Sequence, residues 1–182
     1  VTIPYFMDLE TYPIWPGRLA PPPVCLQDES GIHLGLVAIR TRFERVLRDP
    51  AQCFVGHSVV YDMAVLGAAF PDLLPDIFRA FASDRVLCTR VREKLLRIAQ
   101  GKDKDGRKYD LASCCEAHGI DHGYNVDAAG QKAEAWRVRY AELEHTPVDL
   151  WPADAVRYAR LDVTNLRALF TAQELAGPRE WY

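Results

Sequence analysis

The sequence is short of the features that assign a class at a glance. Its five cysteines, Cys25, Cys53, Cys88, Cys114 and Cys115, form no Cys-x-x-Cys pair, and no spacing among them matches a set of zinc ligands. Most lie in apolar segments, so buried, reduced thiols in a cytosolic protein are expected. No apolar run approaches the roughly 18 residues of a membrane span, and no signal-peptide pattern opens the chain. There is no internal repeat and no low-complexity tract. Charge of one sign is also scarce: the net charge is −3, which argues against coating nucleic acid by charge alone. It leaves open an enzyme whose acidic site carries divalent cations, because bound cations reverse the local sign.

What is present fits one domain. At 182 residues and 49% hydrophobic, the chain can bury about two thirds of its unfolded surface in a single core. Val1 opens almost directly inside a strand-like run, as in a domain cut from a longer protein, although loss of an initiator Met gives the same start. Residues 3–9 read as a strand, which the Pro-rich TYPIWPGRLAPPP cannot continue. Short strands at 23–27 and 32–37 follow, joined by the turn-like DESG, so a three-stranded meander is the simplest opening. In 37–49, Ile39, Phe43, Val46 and Leu47 recur at helical spacing before Pro50. A fourth strand at 52–56, helices at 58–70 and 75–81, and a fifth strand at 84–89 come next. The basic segment 90–100 reads as a helix, GKDKDGRK as a loop, and 110–120 and 129–143 as two more helices. The last, 152–170, carries the apolar stripe Ala155, Ala159, Val163, Leu166 and Phe170, with Pro152 tolerated at its start. This order predicts a mixed α/β sheet with helices on its faces.

Three acidic features stand out. FMDLETY, at 6–12, puts Asp8 and Glu10 two residues apart at the end of an apolar strand. Residues i and i+2 share a strand face about 7 Å apart, so two like charges point together and something should compensate them. Asp62, in GHSVVYDMAVL, falls just inside a helix that follows a strand. Asp162, in YARLD, lies four residues after Tyr158, so phenol and carboxylate are neighbours on one helix face. Singly, each has an ordinary reading: a chance Asp-x-Glu in a chain that is 26% charged, an Asp complementing a helix dipole behind an N-cap Ser58, or a surface Tyr/Asp contact.

Taken in this order and in these settings, the three resemble the exonuclease motifs of the DEDD superfamily. Tyr158 places the resemblance in the tyrosine subgroup, since the other subgroup carries a His one residue earlier, where this chain has Arg157. The likeness runs from Tyr5 to about Phe170. It is strongest to the 3′→5′ exonuclease domain of family A, polymerase I-like DNA polymerases of bacteria and phages. KYDLASCCEAHGI, AWRVRYAEL and WPADAVRYARLD are further local likenesses. One departure is Ser58, four residues before Asp62, where the family usually has Asn; a hydroxyl lacks the two-sided hydrogen bonding of an amide.

The resemblance implies a ribonuclease H-like fold: an α/β, five-stranded mixed sheet of order 3-2-1-4-5 flanked by helices, with 1–182 as one exonuclease domain. It implies two divalent ions, Mg²⁺ or Mn²⁺, hard cations that take oxygen ligands. Asp8, Glu10 and Asp162 would hold the first, and Asp8, with Asp62 acting through water, the second. Glu10 and Tyr158 would orient the attacking water. The substrate would be the single-stranded or frayed 3′ end of DNA, releasing nucleoside 5′-monophosphates. Thr11 and Ile14 would lie near the terminal nucleotide, with His57 and Ser58 near the next sugar or phosphate. His57 reads equally as a packed histidine, and Ile14 as local packing. A polymerase domain in cis or in trans would be the partner of a monomer in the cytoplasm of a bacterial or phage-infected cell. The run 90–108, with eight Lys/Arg against three acids, reads either as a phosphate-steering surface or as a solvated helix face. Arg137, Arg139 and Tyr140 invite the same two readings, and Trp136 reads as core. Two other functions stay open: a standalone RNA exonuclease similar to ribonuclease D, and a non-catalytic nucleic-acid-binding or scaffold domain.

Overall fold

A computed structural model describes residues 2–18, 20–103, 106, 108–124, 136 and 138–177. Five strands, β1 (Ile3–Thr11), β2 (Pro23–Asp28), β3 (Gly31–Leu34), β4 (Gln52–Gly56) and β5 (Val86–Cys88), form one sheet in the order β3-β2-β1-β4-β5. The first three are antiparallel neighbours, whereas β4 runs parallel to β1 and β5 parallel to β4. The helices α1 (Gly35–Arg48), α2 (Val59–Ala69), α3 (Leu74–Ala82), α4 (Thr89–Ala99), α5 (Leu111–Ala117) and α6 (Ala153–Ala176) flank it. The α/β class, the mixed sheet and its order agree with the sequence-based expectation.

The two-residue period of β1 divides the molecule. Tyr5, Met7 and Leu9 enter the main core with Ile39 and Phe43 of α1, Phe54 of β4 and Leu66 of α2. Phe6 faces the other way and packs on Val163, Leu166 and Phe170 of α6, its ring edge-on to Phe170 at 5.5 Å. By alternation, Asp8 and Glu10 share the face of Phe6, the face that α6 covers. β1 pairs with β4 only through residues 3–6, so the two acids stand beyond the end of β4. From β1 the chain goes to β2 and β3 on one side; from β4 it goes to β5 on the other. A crevice outside the carboxyl ends of parallel strands, where the strand order diverges, is the usual ligand position in α/β sheets.

The largest differences from expectation are at three places. The third strand stops at Leu34 instead of running to residue 37, because Gly35 adopts φ +80° and starts α1, a left-handed turn that only glycine makes without strain. Helix α6 continues to Ala176, since Leu169 packs on Cys114 and Cys115 and Gln173 is buried, its amide donating to Thr89 O at 2.9 Å. In 129–143, the described residues include a short 3₁₀ turn, Tyr140–Leu143, while 129–135 and Arg137 lie outside them. Tyr140 is fully buried and donates to Ala155 O at 2.7 Å, so it is core and not a nucleic-acid contact. Arg139 pairs with Glu142 at 2.7 Å and lies over the ring of Trp136; Trp136 is buried, as expected. None of the five cysteines is in a disulfide. No helix of the described residues is long and apolar enough to cross a membrane.

Candidate functional site

The crevice is a cleft of about 780 Å³, and all nine residues singled out in the sequence line it: Asp8, Glu10, Thr11, Ile14, His57, Ser58, Asp62, Tyr158 and Asp162. Strand β1 supplies Asp8 and Glu10, and the ladder slips between Glu10 and Thr11, a bulge that re-aims the residues after it. The turn from β4 into α2 supplies His57, Ser58 and Asp62, and α6 supplies Tyr158 and Asp162. Carboxylate oxygens of Asp8, Glu10 and Asp162 lie within 4.8 Å of one another. Asp62 stands in the same cleft, outside that triad.

Burial and mutual repulsion set the electrostatics. Glu10 is only 6% exposed; burial first, then the charges of Asp8 and Asp162, push its carboxyl well above the usual range. Asp62 is 3% exposed, and burial pushes it up to about 8, opposed by a hydrogen bond from its own backbone N–H. Among the described residues, no Lys, Arg or His forms an ion pair with Glu10 or Asp62. Burial thus favours the protonated form of both, or a cation beside them. An amide takes part: Gln27, on β2, donates to Asp8 Oδ2 at 2.7 Å and to Glu10 Oε1 at 3.3 Å. The Tyr124 hydroxyl donates to Asp162 Oδ1, and its ring lies 5.5 Å from that of Tyr158.

The walls differ in how much of their polarity stays within the chain. His57 Nε2 lies 2.9 Å from Tyr109 O and Nδ1 2.9 Å from Thr89 Oγ1. A carbonyl only accepts, so Nε2 carries a hydrogen; the Thr89 hydroxyl beside Nδ1 is also within reach of Gly56 O, at 3.3 Å. Burial lowers the ring's pKa. With partners for both ring nitrogens within the chain, the packed reading of His57 is favoured. Thr11 Oγ1 donates to Tyr12 O at 2.8 Å and meets Tyr61 OH at 2.9 Å, so its hydroxyl is also engaged within the chain. Ile14 lines the cleft and is 58% exposed. Ser58 caps α2 in a left-handed conformation, φ 71°, without a side-chain cap bond; its Oγ instead accepts from Arg90 at 3.2 Å.

Sequence reasoning missed Gln27, Tyr61 and Tyr124, and did not separate Arg90 from its basic neighbours. Arg90 lines the cleft, while Arg92 ties α4 to Glu174 of α6 and Arg97 pairs with the buried Glu93 one turn back on its own helix. Tyr61 precedes Asp62 directly, and Gln27 is the one amide in an otherwise apolar stretch of a fully buried strand; those were the available signals. Tyr124 reaches Asp162 across 38 positions, which no local pattern reveals. Comparison with protein-family models and with curated proteins finds no match to the sequence.

Proposed function

We propose that the chain is a metal-dependent 3′→5′ exonuclease of the tyrosine-bearing DEDD type with a ribonuclease H-like fold, acting on the single-stranded or frayed 3′ end of DNA in a proofreading role. The observation that carries this reading is the meeting of Asp8, Glu10, Asp62 and Asp162 in one cleft, two of them buried with no ion pair among the described residues. The sheet order 3-2-1-4-5 supports the ribonuclease H-like assignment.

The donor set fits Mg²⁺ or Mn²⁺: hard carboxylate oxygens, three of them near enough to share one ion, without thiol or imidazole ligands. Asp8, Glu10 and Asp162 would hold one cation, and Asp8 with Asp62 a second. When bound, such ions supply the positive charge that activates water and steadies the leaving oxygen in phosphodiester hydrolysis.

The rest is the work of the chain itself. Tyr158 presents a phenol, a hydrogen-bond donor and acceptor, that orients water by hydrogen bonding and not as a strong base. Glu10 is the second group placed to orient that water. Arg90 brings a positive charge to the rim for a phosphate, and the exposed side chain of Ile14 offers apolar surface to an unstacked terminal base. The polymerase partner, in cis or in trans, belongs to the same reading.

The test is digestion of single-stranded oligonucleotides, blocked at either the 3′ or the 5′ end, in Mn²⁺ or Mg²⁺ and in EDTA, with DNA and RNA in parallel. The reading expects 5′-mononucleotides, protection by the 3′ block alone, arrest by EDTA, and DNA degraded faster than RNA. Digestion from the 5′ end, or indifference to EDTA, overturns it.

A further inference from the structure

We propose that Gln27 is the positioning residue of the cleft: its side-chain amide holds Asp8 and Glu10 convergent, and so sets how tightly the cleft takes a divalent cation. The inference rests on the function proposed above, and adds to it a residue on β2 that lies outside all three acidic motifs.

The geometry follows from the ladder. Gln27 is directly opposite Asp8 across the β1–β2 pair, and Cys25 is directly opposite Glu10. Gln27 therefore lies straight across from one acid and diagonal to the other, a separation that a long side chain spans. A primary amide carries two N–H hydrogens on one nitrogen, and this nitrogen is 2.7 Å from Asp8 Oδ2 and 3.3 Å from Glu10 Oε1. The Cys25 thiol, at 3.7 Å, donates to Gln27 Oε1, which fixes the amide with its nitrogen toward the acids. Gln27 is 1% exposed and Cys25 is fully buried, so the amide cannot be replaced by bulk water.

Two carboxylates on one strand face repel each other, and without a donor between them they would rotate apart. The amide donates to both and adds no charge that a cation would have to displace. It thus preserves the negative field while fixing the ligand spacing. Removing an outer partner that orients metal ligands typically weakens metal affinity about 10- to 100-fold.

The experiment compares the wild-type chain with Gln27→Met, which keeps length and volume but has no donor. Free Mn²⁺ is followed by its electron paramagnetic resonance signal during titration, and hydrolysis of a single-stranded DNA oligonucleotide is measured against Mn²⁺ concentration. The Mn²⁺ dissociation constant of Gln27→Met should rise at least about tenfold, its activation curve should shift by the same factor, and kcat at saturating Mn²⁺ should stay within about threefold of wild type. A purely structural role for Gln27 would lower Tm equally with and without Mn²⁺ and leave the dissociation constant unchanged, which overturns the inference while the proposed function stands. Wild-type protein that binds no Mn²⁺ overturns both. Should Gln27→Met not fold, Gln27→Asn carries the test: its amide is one methylene too short to span both acids, so weaker Mn²⁺ binding supports the inference and unchanged binding refutes it.

Discussion

Asp28 and Glu10 come from the same pair of strands and are equally buried, each 6% exposed, yet their surroundings are opposite. Asp28 accepts from Tyr5 OH at 2.7 Å, from Ser30 N at 2.7 Å and Ser30 Oγ at 2.6 Å, and from the Arg42 guanidinium. Burial alone would raise its pKa, but the bonds from Ser30, Tyr5 and Arg42 outweigh it and hold the carboxyl well below the usual range. Glu10 has other carboxylates for neighbours and one shared amide. Glu93 follows the pattern of Asp28, with Arg97 and His118 each at 2.7 Å. A buried acid that serves the fold carries its compensation within the chain. Glu10 and Asp62 have no such counterpart among the described residues, which is the physical reason for proposing a cation beside them.

The widest separation should appear when one acid of each kind is removed. Asp8→Ala should reduce hydrolysis by more than about 10²-fold, the scale on which loss of one transition-state-stabilising group registers, with the circular dichroism spectrum retained. Asp28→Ala should do the reverse. It leaves Arg42 without its buried partner, costs about 3 to 5 kcal/mol in denaturant unfolding, and leaves the turnover of the folded fraction unchanged. Equal effects of both changes on both measurements would dissolve the distinction.

Acidity sharpens the comparison further. The folded pKa of Asp28 is depressed, so its contribution to stability is present above the unfolded value near 4 and is lost as pH falls below it. Asp62 is raised to about 8, so between about pH 4 and 8 the folded state binds more protons than the unfolded one, and stability falls as pH rises. Metal-free protein should therefore lose stability, by an amount on the order of a few kcal/mol, from pH 5 to 8. Asp62→Asn should flatten that slope and raise Tm at pH 8. A slope unchanged in Asp62→Asn would place its origin elsewhere.

The smallest effect concerns Ser58. Its left-handed backbone suits Asn better than Ser, so Ser58→Asn should gain up to about 1 kcal/mol, seen as a rise of a few degrees in Tm. Unchanged or lowered stability would show that the bond from Arg90 to Ser58 outweighs the backbone preference.

How much of this was legible in the sequence depended on range. The Asp8/Glu10 and Tyr158/Asp162 pairs could be read because strand alternation and helical spacing are local, whereas the convergence of these acids with Asp62 and the sheet order were implied only by the resemblance. The start of α1 was misplaced because Leu36 and Val37 extend the apolar run of β3, while the break is made by the backbone of Gly35. The Asp28 cluster was read only as a turn, since its partners Tyr5 and Arg42 lie 23 and 14 positions away. Gln27 was passed over for the same reason: its role exists only once β1 and β2 are in register. Compensation is a tertiary property, and it separates the two kinds of acid.

The central claim is tested most directly by thermal unfolding of the wild-type chain and of Asp8→Ala, each with EDTA and with saturating Mn²⁺ at pH 7.5. At about 100 times its dissociation constant a ligand adds about 2.7 kcal/mol, so the wild-type Tm should rise by about 5 to 10 °C, and that of Asp8→Ala by much less. A wild-type Tm unmoved by saturating Mn²⁺ would contradict the account.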